Sequence, residues 1–212
     1  ANAGQAADLI RFTGRGAAGL RADLRALDLA AGALAWTGGI ARRTPGRRRE
    51  AVQELRGVLE AAGSLGTPLV VVRATRQADD ASGEGWRYCL DSLFDAEGDA
   101  RRAGVWLALE PGDLPEDALA DPDTVRRCLV SGPAGARLAL GAAAVPDALA
   151  DLLGRAAHAR LATRADDEGR LHLAGPDRAA VLLRTLTRAG FGGLVAALPP
   201  ERTDLDAERL RP

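Results

Sequence analysis

The chain has no lysine and no methionine, and only three Trp, three Phe and one Tyr among its 212 residues. Without lysine, Schiff-base and amine catalysis are excluded, since both need a side-chain primary amine. All 28 basic residues are therefore arginine, set against 29 acidic ones, and the two signs are mixed along the chain with a formal net charge of -1. That balance argues against a nucleic-acid surface, which needs a basic face. No apolar run approaches the ~20 residues of a membrane span. The only cysteines, Cys89 and Cys128, are far apart and lack metal-ligand spacing, so they read as small buried hydrophobes. No signal peptide is visible, and a cytoplasmic address is expected. There is no Gly-x-Gly-x-x-Gly after the first strand, no Walker loop, and no serine in a strand-to-helix elbow.

What is present is an alternation of short apolar runs with amphipathic stretches. It is centred on Gly104-Val-Trp-Leu-Ala-Leu-Glu-Pro111, a buried-strand pattern bounded by Gly and Pro that ends in one carboxylate. Before it, Asp8–Phe12 reads as a strand, followed by a helix with Leu20, Leu24 and Leu27 at helical spacing. Leu29–Trp36 reads as a weaker strand, and Pro45-Gly46 as a turn in an Arg-rich loop. The pattern predicts a helix from Arg48 to about Ser64 with Val52, Leu55, Leu59 and Ala62 on one face, then a strand over Pro68–Arg73. A Gly-rich acidic loop at Asp79–Gly85 leads to a helix carrying Leu90, Leu93, Phe94 and Glu97.

After the central strand, Pro111–Pro122 is a long acidic loop and a candidate cover for a site. Thr124–Val130 reads as a helix, Ala136–Gly141 as a strand, Pro146–Leu153 as a helix and Ala156–Ala162 as a strand. A polar loop over Asp166–Gly175, a helix over Asp177–Ala189 and a last strand over Gly193–Leu198 follow. Seven strands alternating with helices imply parallel pairing with right-handed crossovers, hence an α/β fold, and a TIM-type (β/α) barrel ahead of a doubly wound sheet. One domain over residues 1–200 and a charged tail over 201–212 are expected.

In such a barrel the functional face lies at the strand C-termini. The residues found there are Arg11, Trp36, Arg73, Glu110, Gly141, His158 with Arg160, and Leu198. His158 and Arg160 are two apart and share a face. Glu110 and His158 are the candidate proton carriers; Arg160, Arg73, Arg11 and Trp36 are the candidate ligand-binding residues, the arginines suiting an anionic or polyhydroxylated small molecule. The structural alternatives are a strand-end carboxylate paired with arginine and a hydrogen-bonded core histidine. His172 reads as a loop residue.

The order of Leu34-Ala-Trp-Thr-Gly-Gly39, Leu65-Gly-Thr-Pro-Leu-Val-Val-Val72, Gly104–Pro111, Gly135-Ala-Arg-Leu-Ala-Leu140, Ala157-His-Ala-Arg-Leu161 and Ala189-Gly-Phe-Gly-Gly-Leu-Val195 resembles the sugar phosphate isomerase/epimerase superfamily of xylose isomerase-like barrels. The resemblance implies a divalent metal held by a Glu, an Asp, a His and a second Glu at four strand ends. Glu110 matches the first ligand, but Gly141, Arg160 and Leu198 stand at the other three matched positions, so no metal or other cofactor is expected. It further implies a first strand and helix ahead of Asp8, which this chain lacks. Either a segment precedes Ala1, or an open barrel covers its two edges, for which a homodimer is one solution. The function expected from the resemblance is proton transfer on a small polar or anionic carbonyl metabolite, without metal. The alternatives are a non-catalytic binding or scaffold member, and a metal-free cyclase or lyase. Neither a nucleic-acid nor a membrane partner is expected.

Overall fold

The computed structural model describes residues 16–73, 85–112, 119–141, 147–165, 171–173 and 175–198. The expected strand at Asp8–Phe12, the tail 201–212 and most of the acidic loop before Gly85 lie outside the described residues. In chain order the elements are α1 (Gly16–Ala26), β1 (Leu34–Trp36), α2 (Pro45–Leu65), β2 (Leu69–Arg73), α3 (Gly85–Ala103), β3 (Trp106–Glu110), α4 (Pro122–Ser131), β4 (Arg137–Leu140), a 3-10 helix (Asp147–Arg155), β5 (Ala156–Ala165), β6 (Leu171–Leu173), α5 (Pro176–Arg188) and β7 (Leu194–Leu198).

Six strands pair in parallel in the order β1-β2-β3-β4-β5-β7. This is an incomplete TIM-type barrel with its helices on the outside. Alternation along the strands divides the side chains between two layers. Val70, Val72, Leu107, Leu109, Leu138 and Leu140 face the helices and join the main core with Leu55 and Leu59 of α2 and Leu93 of α3. Leu69, Val71, Ala108 and Ala139 form a second, much smaller cluster on the inner face. The bulky layer thus stabilises the helix–sheet contact, while the inner face carries fewer apolar side chains.

The sequence expectation needs correction at four places. Helix α2 begins at Pro45, so Pro45-Gly46 is its first turn; proline at the start loses no hydrogen bond, because the first helical N–H groups have no intrahelical acceptor. Only Leu34–Trp36 of the expected Leu29–Trp36 strand pairs, the preceding Ala30-Ala31-Gly32 having low strand propensity. Residues Asp147–Arg155 form a 3-10 helix. Within the expected polar loop, Leu171–Leu173 forms β6, antiparallel to the end of β5, with His172 opposite Arg164. The alternation is therefore not strict.

Two local devices place β3. Gly104 at φ +69 lets the chain leave α3 and enter the strand in a left-handed conformation that a Cβ disfavours. At the other end, Gly112 N–H donates to Leu119 O at 2.9 Å, and Asp121 caps α4 by accepting from the N–H groups of Asp123 and Thr124, both at 3.1 Å. The connection after β3 is thereby anchored at both ends. Asp121→Ala is expected to lower stability by about 1 kcal/mol, measurable as a lower urea midpoint at unchanged slope.

Candidate functional site

Glu110 is the last residue of β3 and faces the barrel interior, two residues beyond Ala108, which lies in the inner cluster. It is 0% exposed. Parallel pairing sets Arg73, the last residue of β2, directly beside it, and Arg73 Nε lies 3.3 Å from Glu110 Oε1. From β5, Arg160 donates through Nη2 to the same oxygen. One carboxylate oxygen therefore holds two guanidinium groups from two other strands. Their side chains are 29% (Arg73) and 13% (Arg160) exposed, so the cluster is only thinly screened by water.

His158 precedes Arg160 by two residues and shares its inward face; a register shift between Leu138 and Ala139 of β4 sets it beside Ala139. It is 5% exposed, and burial holds its pKa below the ordinary value, so the ring is neutral at pH 7. Two of its features match Glu110: both are buried, and His158 Nδ1 and Glu110 Oε2 each have no hydrogen-bond partner among the described residues. Buried polar atoms left without partners are rare and point to a ligand, a water or a functional role.

The remaining candidates separate. Trp36 pairs with Val72 and lies with it in the helix-side core, 0% exposed, on the face opposite Glu110. A strand's C-terminal end marks the functional rim, but only every other residue there faces inward, and Trp36 has the wrong parity. Arg11 lies outside the described residues. The structure thus brings together Glu110, Arg160 and Arg73 by direct contact and sets His158 one inward step below Arg160.

Of the four positions matched to the implied ligand set, Glu110 alone carries a ligating side chain, with Gly141, Arg160 and Leu198 at the others. Among the described residues no group of three or more His, Cys, Asp and Glu side chains is placed to hold a metal ion. At the position where Glu110 would meet the ion it meets a guanidinium, so the donor set does not fit a hard divalent cation.

The neutral state of His158 sets a pH dependence of stability. In the unfolded chain the imidazole binds a proton as pH falls through about 6.5, whereas in the fold it does so only at lower pH. Between those two values the unfolded state holds more protons, so stability falls as pH falls through that window and is unaffected above it. His158→Gln is expected to flatten this dependence, checked by thermal melts from pH 7.5 to 5.

These features define a protein class: an open (β/α) barrel whose mouth carries a buried strand-end carboxylate. The sequence matches no family model and no curated protein. Solved structures do match. The chain is similar to the 3-keto-D-glucoside 4-epimerase YcjR from E. coli, with a TM-score of 0.67 and 20% identity over 89% of this chain and 79% of that one. It is similar to D-psicose 3-epimerase from Clostridium cellulolyticum H10, TM-score 0.66 and 14% identity, covering 87% and 68%. The IOLI protein, solved with a zinc atom, gives a TM-score of 0.60 and 19% identity, covering 80% and 66%. The fold is that of the xylose isomerase-like sugar epimerases and isomerases.

Proposed function

We propose that this protein acts on a small polar or anionic carbonyl metabolite by moving a proton at the carbon next to the carbonyl, without a divalent metal. The observation that carries the reading is the buried Glu110, whose Oε1 is held by Arg160 and Arg73 while Oε2 has no hydrogen-bond partner among the described residues. In this reading Oε2 removes the proton from carbon. The electron pair moves to the carbonyl oxygen, and the guanidinium groups stabilise the enolate charge in place of a metal. Return of a proton to the opposite face of the same carbon epimerises the substrate; return to the former carbonyl carbon isomerises it, the proton of the adjacent hydroxyl passing to the former carbonyl oxygen as the new carbonyl forms. Neutral His158 is the second proton carrier. The setting is cytoplasmic, with a second copy of the chain covering the open side of the barrel.

A second reading is favoured by the clamp itself: a carboxylate already holding two arginines and wholly buried can be a structural remnant in a non-catalytic binding protein. One experiment separates the two. Chelator-treated protein is incubated in D2O with hydroxy-ketone sugars and their phosphates, and deuterium incorporation is followed by NMR. Exchange at the α-carbon supports proton transfer. Absence of exchange with every such compound supports the non-catalytic reading.

A further inference from the structure

The end of the barrel opposite Glu110 carries a cavity. Helix α3 runs 19 residues while its neighbour α4 runs only 10, so the last turns of α3 stand without α4 beside them. The resulting groove, about 550 Å³, is lined by Leu93, Arg101, Val105, Trp106 and Leu107 and closed by the turn around Gly135. That volume is typical of small-molecule sites. Trp106 is the first residue of β3, so the groove lies at the N-terminal ends of the strands, a strand length from Glu110. It is 47% exposed, unusual for the largest side chain.

Charge around the groove is unbalanced. Arg137 lies over the Trp106 ring, 4.1 Å from its centroid, and among the described residues donates to the carbonyls of Ala134 (3.1 Å) and Ala136 (3.2 Å). Arg155 donates to the carbonyls of Leu129 (2.6 Å) and Ala136 (3.4 Å). The two guanidinium groups thus share one carbonyl, and no carboxylate among the described residues pairs with either. Burial and the charge of Arg155 hold Arg137 below the ordinary guanidinium range, the signature of a cation short of a counter-charge. On the wall itself exposed Arg101 and Glu97 carry one charge of each sign, so the excess comes from Arg137, which adjoins the groove through the Trp106 ring, and from Arg155 behind the Ala136 carbonyl.

We propose that this cavity binds a ring-bearing small molecule carrying one anionic group, its ring against Trp106 and its charge towards Arg137. The site is independent of the chemistry at the barrel mouth. It is tested on the full chain by fluorescence titration with anionic 1-anilinonaphthalene-8-sulfonate and with neutral N-phenyl-1-naphthylamine. The anionic dye is expected to bind at one site, about tenfold or more tighter than the neutral one. Trp106→Leu and Arg137→Gln are each expected to weaken it about tenfold. Arg101→Gln, an exposed change that leaves the core intact, is expected to narrow the preference for the anionic dye even if Arg137→Gln does not fold. Equal affinity for the two dyes overturns the proposal. So does anionic-dye binding that Trp106→Leu and Arg101→Gln leave unchanged.

Discussion

Glu110→Ala is expected to lower the unfolding free energy by about 3–5 kcal/mol, the largest stability loss of any single change in the barrel interior. The reason is what it leaves behind. Arg160 and Arg73 converge on one oxygen of Glu110, and both lie largely away from water. Removing the carboxylate takes away the anion that both guanidinium groups contact and leaves two like charges close to one another. The direction is reversed when a partner is removed as well: Glu110→Leu combined with Arg160→Leu is expected to recover most of the loss, because apolar replacement of a whole buried pair is often near neutral. Urea unfolding of the wild type, Glu110→Leu, Arg160→Leu and the double variant gives the coupling directly. If the single and double variants lose the same amount, the ion pair is not what holds this end of the barrel.

Glu110→Gln is expected to have the largest effect on chemistry. It keeps the volume and one acceptor oxygen but removes the base, so α-carbon exchange should fall about 10²- to 10⁴-fold. Arg160→Gln should also fall, by about 10²- to 10³-fold, and chiefly in kcat, if its role is to stabilise charge that develops only in the transition state. A change confined to KM would assign Arg160 to ground-state binding. His158→Gln should act on the pH profile as well as the rate. A merely structural histidine would change stability and leave the exchange rate of the folded fraction untouched.

Much of this site was legible in the residues because β3 is so strongly marked. An apolar run of five, preceded by a glycine that the backbone uses at positive φ and followed by proline, has few alternatives to a buried strand, and its last residue then faces the functional rim. The spacing of His158 and Arg160 likewise settled that they share a face. The face that Trp36 presents is not legible in the residues because its strand is only three residues long: with so short a run it is fixed by pairing with β2, which no local pattern reveals. The antiparallel β6 was hidden for a similar reason. Leu171-His-Leu173 is too short to show a period, and what makes it a strand is Thr163–Ala165 lying opposite. The Trp106–Arg137 cavity had no sequence signal, since it arises from the different lengths of two neighbouring helices.

An arginine stands where the resemblance would place a cation, and the proposed function has Glu110 work there without a metal. Equilibrium dialysis of the full chain against manganese, followed by elemental analysis, tests this most directly. The account predicts no stoichiometric binding in the wild type at micromolar manganese, with deuterium exchange unchanged by chelator. One equivalent of manganese bound per chain, lost in Glu110→Gln and required for exchange, would contradict it.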